Sequence, residues 1–187
     1  MCFDAEVNAQ THEAGADRPA PRIRPRTDGD IAACVRVLAD VHRADGYPVN
    51  WPERPGDWLR GASLLGGWVA ELGGRPAGHV GLSRPGDGDL APGLWSEHTK
   101  ASPDRTAVVG RLFVAPHARG HGLGAALLGR AGEEARRIGL HPVLDVVASD
   151  TAAAALYERL GWRRLATVEQ RWSPAQVVSV HCYAAPG

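Results

Sequence analysis

Lysine is almost missing from this chain: 20 of its 21 basic residues are arginine, and Lys100 stands alone. Aspartate and glutamate also number 21, so there is no net charge. That balance argues against a nucleic-acid binder, which shows a basic excess or stripe, and against a strong electrostatic pull toward an anionic membrane. Cysteine is scarce as well. Cys2, Cys34 and Cys182 lie too far apart for a disulfide framework or a metal knuckle. The histidines, at 12, 42, 79, 98, 117, 121, 141 and 181, form no HExxH or other ligand spacing, so no metal site is expected. No run approaches the ~18 apolar residues that a membrane helix needs. The opening Met-Cys-Phe-Asp-Ala-Glu-Val has neither the basic nor the apolar part of a secretory signal. The expectation is a cytoplasmic protein that engages neither nucleic acid nor membrane. The arginine bias, with abundant Ala, Gly and Pro, reads as genome composition.

What is present suffices for one core: 187 residues, 44% of them hydrophobic, fit a domain of ordinary size. Residues 1–21 are polar and lack periodicity, so they are expected to be a disordered leader before a domain spanning 22–187. Ile23 to Arg26 suits an edge strand. Asp28-Gly-Asp then caps a helix bearing Ile31, Cys34, Val35, Leu38 and Val41 at helical spacing. A Pro- and Trp-rich stretch follows, with a short helix expected near 57–62. Trp68 to Leu72, Gly73-Gly74 and Arg75 to Ser83 form a hairpin pattern. Residues 85–105 read as a long loop.

Val108 to Val114 is an apolar run of strand length, and Pro116 to Gly124 is a turn. Leu123, Leu127, Leu128, Ala131, Ala135 and Ile138 mark one face of a helix ending at Gly139. Pro142 to Ala148 is a further strand, Thr151 to Leu160 an alanine-rich helix. Trp162 to Glu169 and Val177 to Tyr183 are two closing strands with Ser173-Pro174 in the turn between them. The fold class expected is α/β (α+β).

The turn Val114-Ala-Pro-His-Ala-Arg119-Gly-His-Gly-Leu-Gly124 lies between a strand and a helix. A helix start exposes unpartnered N–H groups and the positive end of the macrodipole, and both favour an anion. Gly120, Gly122 and Gly124 permit close backbone approach, and Arg119 offers a charge-assisted contact. The same residues satisfy a dinucleotide fingerprint, Gly120-x-Gly122-x-x-Ala125. That fingerprint normally opens its domain, whereas here it falls after antiparallel strands. No Gly-Lys-Ser/Thr ends the turn, so it is not a P-loop.

A second segment, Ala148-Ser-Asp-Thr-Ala-Ala-Ala-Ala-Leu-Tyr157-Glu-Arg-Leu-Gly-Trp162, follows at a fixed distance. Together the two segments resemble the Gcn5-related N-acetyltransferase (GNAT) superfamily: the first is similar to its Arg/Gln-x-x-Gly-x-Gly/Ala cofactor motif, the second to its Asn-x-x-Ala and Leu-Tyr-Glu-x-Leu-Gly-Phe motif. The resemblance implies a mixed, mostly antiparallel sheet of about seven strands flanked by helices, splayed between the fourth and fifth. It implies acetyl-CoA as cosubstrate, its pyrophosphate on the backbone of Arg119, Gly120, His121, Gly122, Leu123 and Gly124. The pantetheine arm would pair with the strand Leu112-Phe113-Val114, and an N–H near Phe113 or Val114 would polarise the thioester carbonyl. Tyr157 matches the family tyrosine that protonates the departing thiolate. Asp150 stands where asparagine is common; an ionised carboxylate only accepts hydrogen bonds.

The expected reaction moves acetyl to a primary amine of a small molecule or peptide by direct attack in a ternary complex. The strand Val108 to Val114 lacks the glutamate that many relatives use as a base. Glu97 and His98 are the first candidates for that role, Glu71 and His79 the second, and proximity of the two substrates can also suffice. Trp51 and Trp58 suit the acceptor site or the core, and Asp45, Glu53 and Asp57 could attract a cationic amine. A homodimer through the closing strands is compatible with the family. Two other classes stand beside this one: a non-catalytic acyl-CoA sensor, and a nucleotide-binding oxidoreductase fragment.

Overall fold

The computed structural model describes residues 22–187; the leader expected at 1–21 lies outside the described residues, as does Cys2. Strand β1 (Arg22–Pro25) pairs with the hairpin β2 (Leu64–Leu72) and β3 (Arg75–Ser83). Between β1 and β2 run α1 (Ile31–Asp45) and the short α2 (Pro55–Arg60). After α3 (Ala91–Thr99) come β4 (Thr106–Val114), α4 (Leu123–Arg137), β5 (His141–Val147), α5 (Thr151–Arg159), β6 (Arg163–Ser173) and β7 (Gln176–Ala184). The seven strands make one sheet in the order β1-β2-β3-β4-β5-β7-β6. Every neighbouring pair is antiparallel except β4 with β5. The α/β class, the strand number and the mostly antiparallel sheet are those expected. Parallel βα units in series are absent among the described residues, which removes the oxidoreductase-fragment topology.

Alternation along the central strands builds two cores. Val109 of β4, Leu144 of β5 and Tyr183 of β7 join the helices α1 and α4 in the larger cluster. Their neighbours Val108, Val143 and Cys182 belong to a smaller cluster with Ala91, Leu94 and Trp95 of α3. Successive strand side chains point to opposite faces, so α3 covers the second face. On α4, Leu123, Leu127, Leu128, Ala131 and Ala135 are buried as the spacing predicts, whereas Ile138 emerges to solvent at its end. On α1 it is Val37, not Val35, that joins Ile31, Cys34, Leu38 and Val41 in the buried face.

The helix α3 falls in the segment 85–105 that reads as a loop from sequence. Pro92 and Gly93 occupy its first turn, and its own N-cap, Leu90, has no side-chain cap. The cap comes from elsewhere in the fold. The Asp145 carboxylate on β5 accepts the Leu90 N–H at 2.7 Å and the Ala91 N–H at 3.0 Å. Orphan N–H groups at a helix start are stabilised by such an oxygen wherever it originates. Replacing Asp145 by alanine is therefore expected to cost about 1–2 kcal/mol of unfolding free energy, measured by urea denaturation; a variant as stable as the wild type would show that α3 does not depend on this cap.

Candidate active site

The pairing of β4 with β5 is short. It covers only Thr106↔His141, Ala107↔Pro142 and Val108↔Val143, and beyond that the strands separate. A bulge marks the departure: on the other side of β4, Gly81 faces Gly110 and His79 faces Phe113, so Arg111 and Leu112 together oppose Val80 alone. Arg111 takes φ 53°, a left-handed conformation that a bulky residue adopts only when its surroundings impose it.

Those surroundings centre on His79, which is fully buried. Its Nδ1–H donates to the Arg111 carbonyl at 2.9 Å, and its Nε2 accepts from Arg26 Nη1 at 3.0 Å. Arg26 is in turn anchored on the Leu59 carbonyl at 2.7 Å, and the imidazole stacks on Phe113 with centroids 5.4 Å apart. Burial pushes the His79 pKa down to about 4, with the two arginines adding to the effect. His79 is thus a neutral latch on the bulge, with neither nitrogen free to serve as a base.

Separation of β4 from β5 opens a cleft of about 1280 Å³ along the C-terminal ends of the two strands. One end is walled by the turn before α4. Gly120 (φ 77°) and Gly122 (φ 73°) both adopt left-handed backbone, and a Cβ on either would meet no protein atom. Gly122 is the N-cap of α4, so the free N–H groups of the first helical turn lie in this wall. Gly124 differs. A Cβ there would stand 3.3 Å from Leu156 Cδ2, so its smallness lets α4 pack closely on α5. The Arg119 side chain makes a two-pronged ion pair with Asp45 at the end of α1, one prong at 3.1 Å. That pair ties the turn to α1 and leaves the charge of Asp45 satisfied. His121 donates Nδ1–H to the Arg119 carbonyl at 2.9 Å and does not line the cleft; it tightens the turn from outside.

On the opposite wall, Tyr157 is buried apart from its cleft face and packs against Trp162 and Tyr183. No described residue hydrogen-bonds to its hydroxyl, and burial raises its pKa, so it holds its proton at neutral pH. Asp150 caps α5 by accepting the Ala153 N–H at 3.0 Å, an acceptor role that asparagine would also fill. Leu112, Phe113 and Val114 line the cleft from β4. The Ala115 N–H donates to Ala77 across β3 at 2.8 Å, and the Phe113 carbonyl also faces β3 at Gly78. Alternation therefore turns the Val114 N–H, and not that of Phe113, into the open gap.

The expected acid–base residues are dispersed. Glu97 lies on the exposed side of α3 and His98 donates Nδ1–H to the Leu94 carbonyl; neither lines the cleft. Glu71 accepts from Arg24 Nε at 2.8 Å at the β1–β2 edge. Asp57 pairs with Arg60 and Arg54. Trp58 lies under the Arg111 guanidinium at 5.3 Å, while Trp51 is exposed beside His42. The polar groups that do converge on the far end of the cleft are Tyr47, Asp89, Arg111, Asp145 and Gln170. Burial raises the pKa of the Asp89 and Asp145 carboxyls and of the Tyr47 hydroxyl, and lowers that of Arg111. Arg111 and Asp145 were visible in sequence as single charges inside otherwise apolar strands. Tyr47 and Asp89 sit in loops without periodicity, and no local pattern marks them.

A single sheet with one parallel pair, splayed after three residues and ending on a glycine turn at a helix start, defines a GNAT-type α/β fold. The family model for the acetyltransferase (GNAT) family matches residues 26–162, and the chain belongs to that family. Among solved structures, the ribosomal-protein-S18-alanine N-acetyltransferase from Escherichia coli is similar with TM-score 0.65 and 20% identity, covering 89% of this chain and 93% of that one. The ribosomal-protein-alanine N-acetyltransferase from Brucella melitensis gives 0.63 and 21%, covering 87% and 98%. Arabidopsis thaliana NAA60, solved with acetyl-CoA, gives 0.66 and 17%, covering 88% and 97%. At these identities the likeness is one of fold. No curated protein matches the sequence significantly.

The latch makes a pH prediction. His79 has a folded pKa near 4 against 6.5 when unfolded, so the unfolded chain binds the extra proton first. Its contribution is present above pH 6.5 and is lost as pH falls toward 4, on the order of 3 kcal/mol in all. Chemical denaturation across that range should show falling stability, with a shallower slope in His79→Gln. Equal slopes in the two proteins would contradict a neutral buried His79.

Proposed function

We propose that the protein transfers acetyl from acetyl-CoA to a primary amine by direct attack in a ternary complex. The observation that carries this reading is the continuity of the cleft: its glycine-lined wall, the freed edge of β4 and the Tyr157 hydroxyl all border one space. The fit to the cosubstrate rests on backbone. At Gly120 and Gly122 a Cβ would project into space that no protein atom fills, and the start of α4 supplies N–H groups for a pyrophosphate. The Val114 N–H is oriented for a hydrogen bond to the thioester carbonyl oxygen as it gains charge.

In the proposed reaction the amine nitrogen bonds to the thioester carbon and the C–S bond breaks. The sulfur departs with the electron pair and takes a proton from the Tyr157 hydroxyl, which burial has kept protonated. The amine loses its own proton to a carboxylate in the acceptor end. Asp89 is suited to this, because it lines the cleft half-buried, burial has raised its pKa, and only its Oδ2 is engaged, by the Gly86 N–H at 2.7 Å. Asp145 is engaged at the α3 start. A covalent acyl-enzyme finds no support among the described residues: Cys34 and Cys182 are buried and their thiols are pushed up, that of Cys34 to about 11.

The test is thiol release from acetyl-CoA in the presence of an amine panel, with Tyr157→Phe beside the wild type. Loss of a general acid is expected to lower kcat by about 100-fold or more, while the CoA-induced rise in melting temperature is retained. A variant with undiminished kcat would remove Tyr157 from the chemistry. Wild-type protein that binds CoA but acetylates no amine would favour the sensor reading.

A further inference from the structure

The far end of the cleft contains a cation with no anionic partner among the described residues. Arg111 lines the cleft, and burial disfavours its charge. Yet no carboxylate among the described residues forms an ion pair with it. Its Nε is buried without any hydrogen-bond partner, and its one side-chain hydrogen bond is a long 3.5 Å contact from Nη1 to Ser83 Oγ. The other inward-facing arginines are treated differently. Arg24 holds both Asp30 and Glu71, and Arg26 donates to the Leu59 carbonyl and to His79. A desolvated guanidinium is costly unless an anion meets it, and its planar fork matches a carboxylate. Trp58 flattens it from one side at 5.3 Å, and the bulge at φ 53° fixes where it points.

Asp89 lines the same end of the cleft, close enough for the Arg111 charge to act on its carboxyl, yet the two do not close on each other. A guanidinium and a carboxylate held apart form the complement of a zwitterion. The space is also bounded. Asn50 Nδ2 donates to Gln176 Oε1 at 3.2 Å, and Gln170 Nε2 to the Gly88 carbonyl at 3.0 Å. The β6–β7 hairpin is thereby fastened to both loops that border the opening.

We propose that the acceptor is a free α-amino acid, its carboxylate received by Arg111 and its amine directed toward Asp89. This rests on the acetyl-transfer reading above and narrows its substrate class. A polyamine would place a second cation against Arg111 and is disfavoured by like-charge repulsion.

The experiment compares three matched acceptor series with acetyl-CoA: the twenty L-amino acids, their carboxamides, and the corresponding decarboxylated amines. Losing a charge-assisted pair of this kind is expected to lower kcat/KM by about 10- to 100-fold, mostly through KM. At least one amino acid should therefore exceed its carboxamide and its amine by that margin. In Arg111→Gln the preference should collapse, with Arg111→Lys retaining part of it. The wild-type comparison stands even if neither variant folds. Amines or carboxamides turned over as well as the amino acids would overturn the proposal, and so would CoA binding with no amino acid acetylated. Failure to bind CoA at all would instead defeat the acetyl-transfer reading on which it rests.

Discussion

The site depends on the parting of β4 from β5 after Val108↔Val143. A continuous parallel ladder there would bury the β4 edge and leave no cleft. The parting is held by the bulge at Arg111, whose carbonyl is taken by the buried neutral imidazole of His79 on β3 instead of by a backbone N–H of that strand. The chain Arg26, His79, Arg111 runs from just past β1 across the sheet to the opening. In this buried chain both imidazole nitrogens and the Arg111 carbonyl are paired, which is the condition under which such a chain stabilises. It therefore specifies one geometry for the bulge and so one position for the Val114 N–H.

From that parting the remaining features follow in order. Strand β4 runs past the gap into a turn whose two left-handed glycines deliver the start of α4 to one wall. The Arg119–Asp45 pair fastens that turn to α1, which itself packs on β3 and β4. Helix α5 brings Tyr157 to the opposite wall, started by the Asp150 cap. The loops after α1 and before α3 close the far end with Tyr47 and Asp89. Backbone groups thus line one end of the cleft, and titratable side chains the other.

Much of this was legible in the sequence because it is local. Helical spacing marks α1 and α4, alanine richness marks α5, the Gly73-Gly74 hairpin marks β2 and β3, and the turn 119–124 identifies itself by its glycines and flanks. What was not legible is what the tertiary fold supplies. Helix α3 carries Pro92 and Gly93 in its first turn and takes its cap from Asp145, 55 residues away from Leu90. His79 reads in sequence as a possible base, and only its burial and two hydrogen bonds make it a latch. Arg119 reads as a phosphate contact, yet its side chain is committed to Asp45. Glu97 reads in sequence as part of a loop before β4; in the fold it sits on α3 and faces solvent. The converging polar groups come from five separate segments, a combination that no spacing rule encodes.

We propose that the wall formed by Gly120, Gly122 and the start of α4 holds the pyrophosphate of CoA. This is tested most directly by thermal melts of the protein with acetyl-CoA, CoA and NAD(H) in parallel. Ligand at about 100 times its Kd stabilises a folded protein by roughly 2.7 kcal/mol, which for a chain of this size raises Tm by several degrees. Both CoA species should give that rise and NAD(H) none. A well-folded sample unmoved by saturating CoA, or moved only by NAD(H), would contradict it.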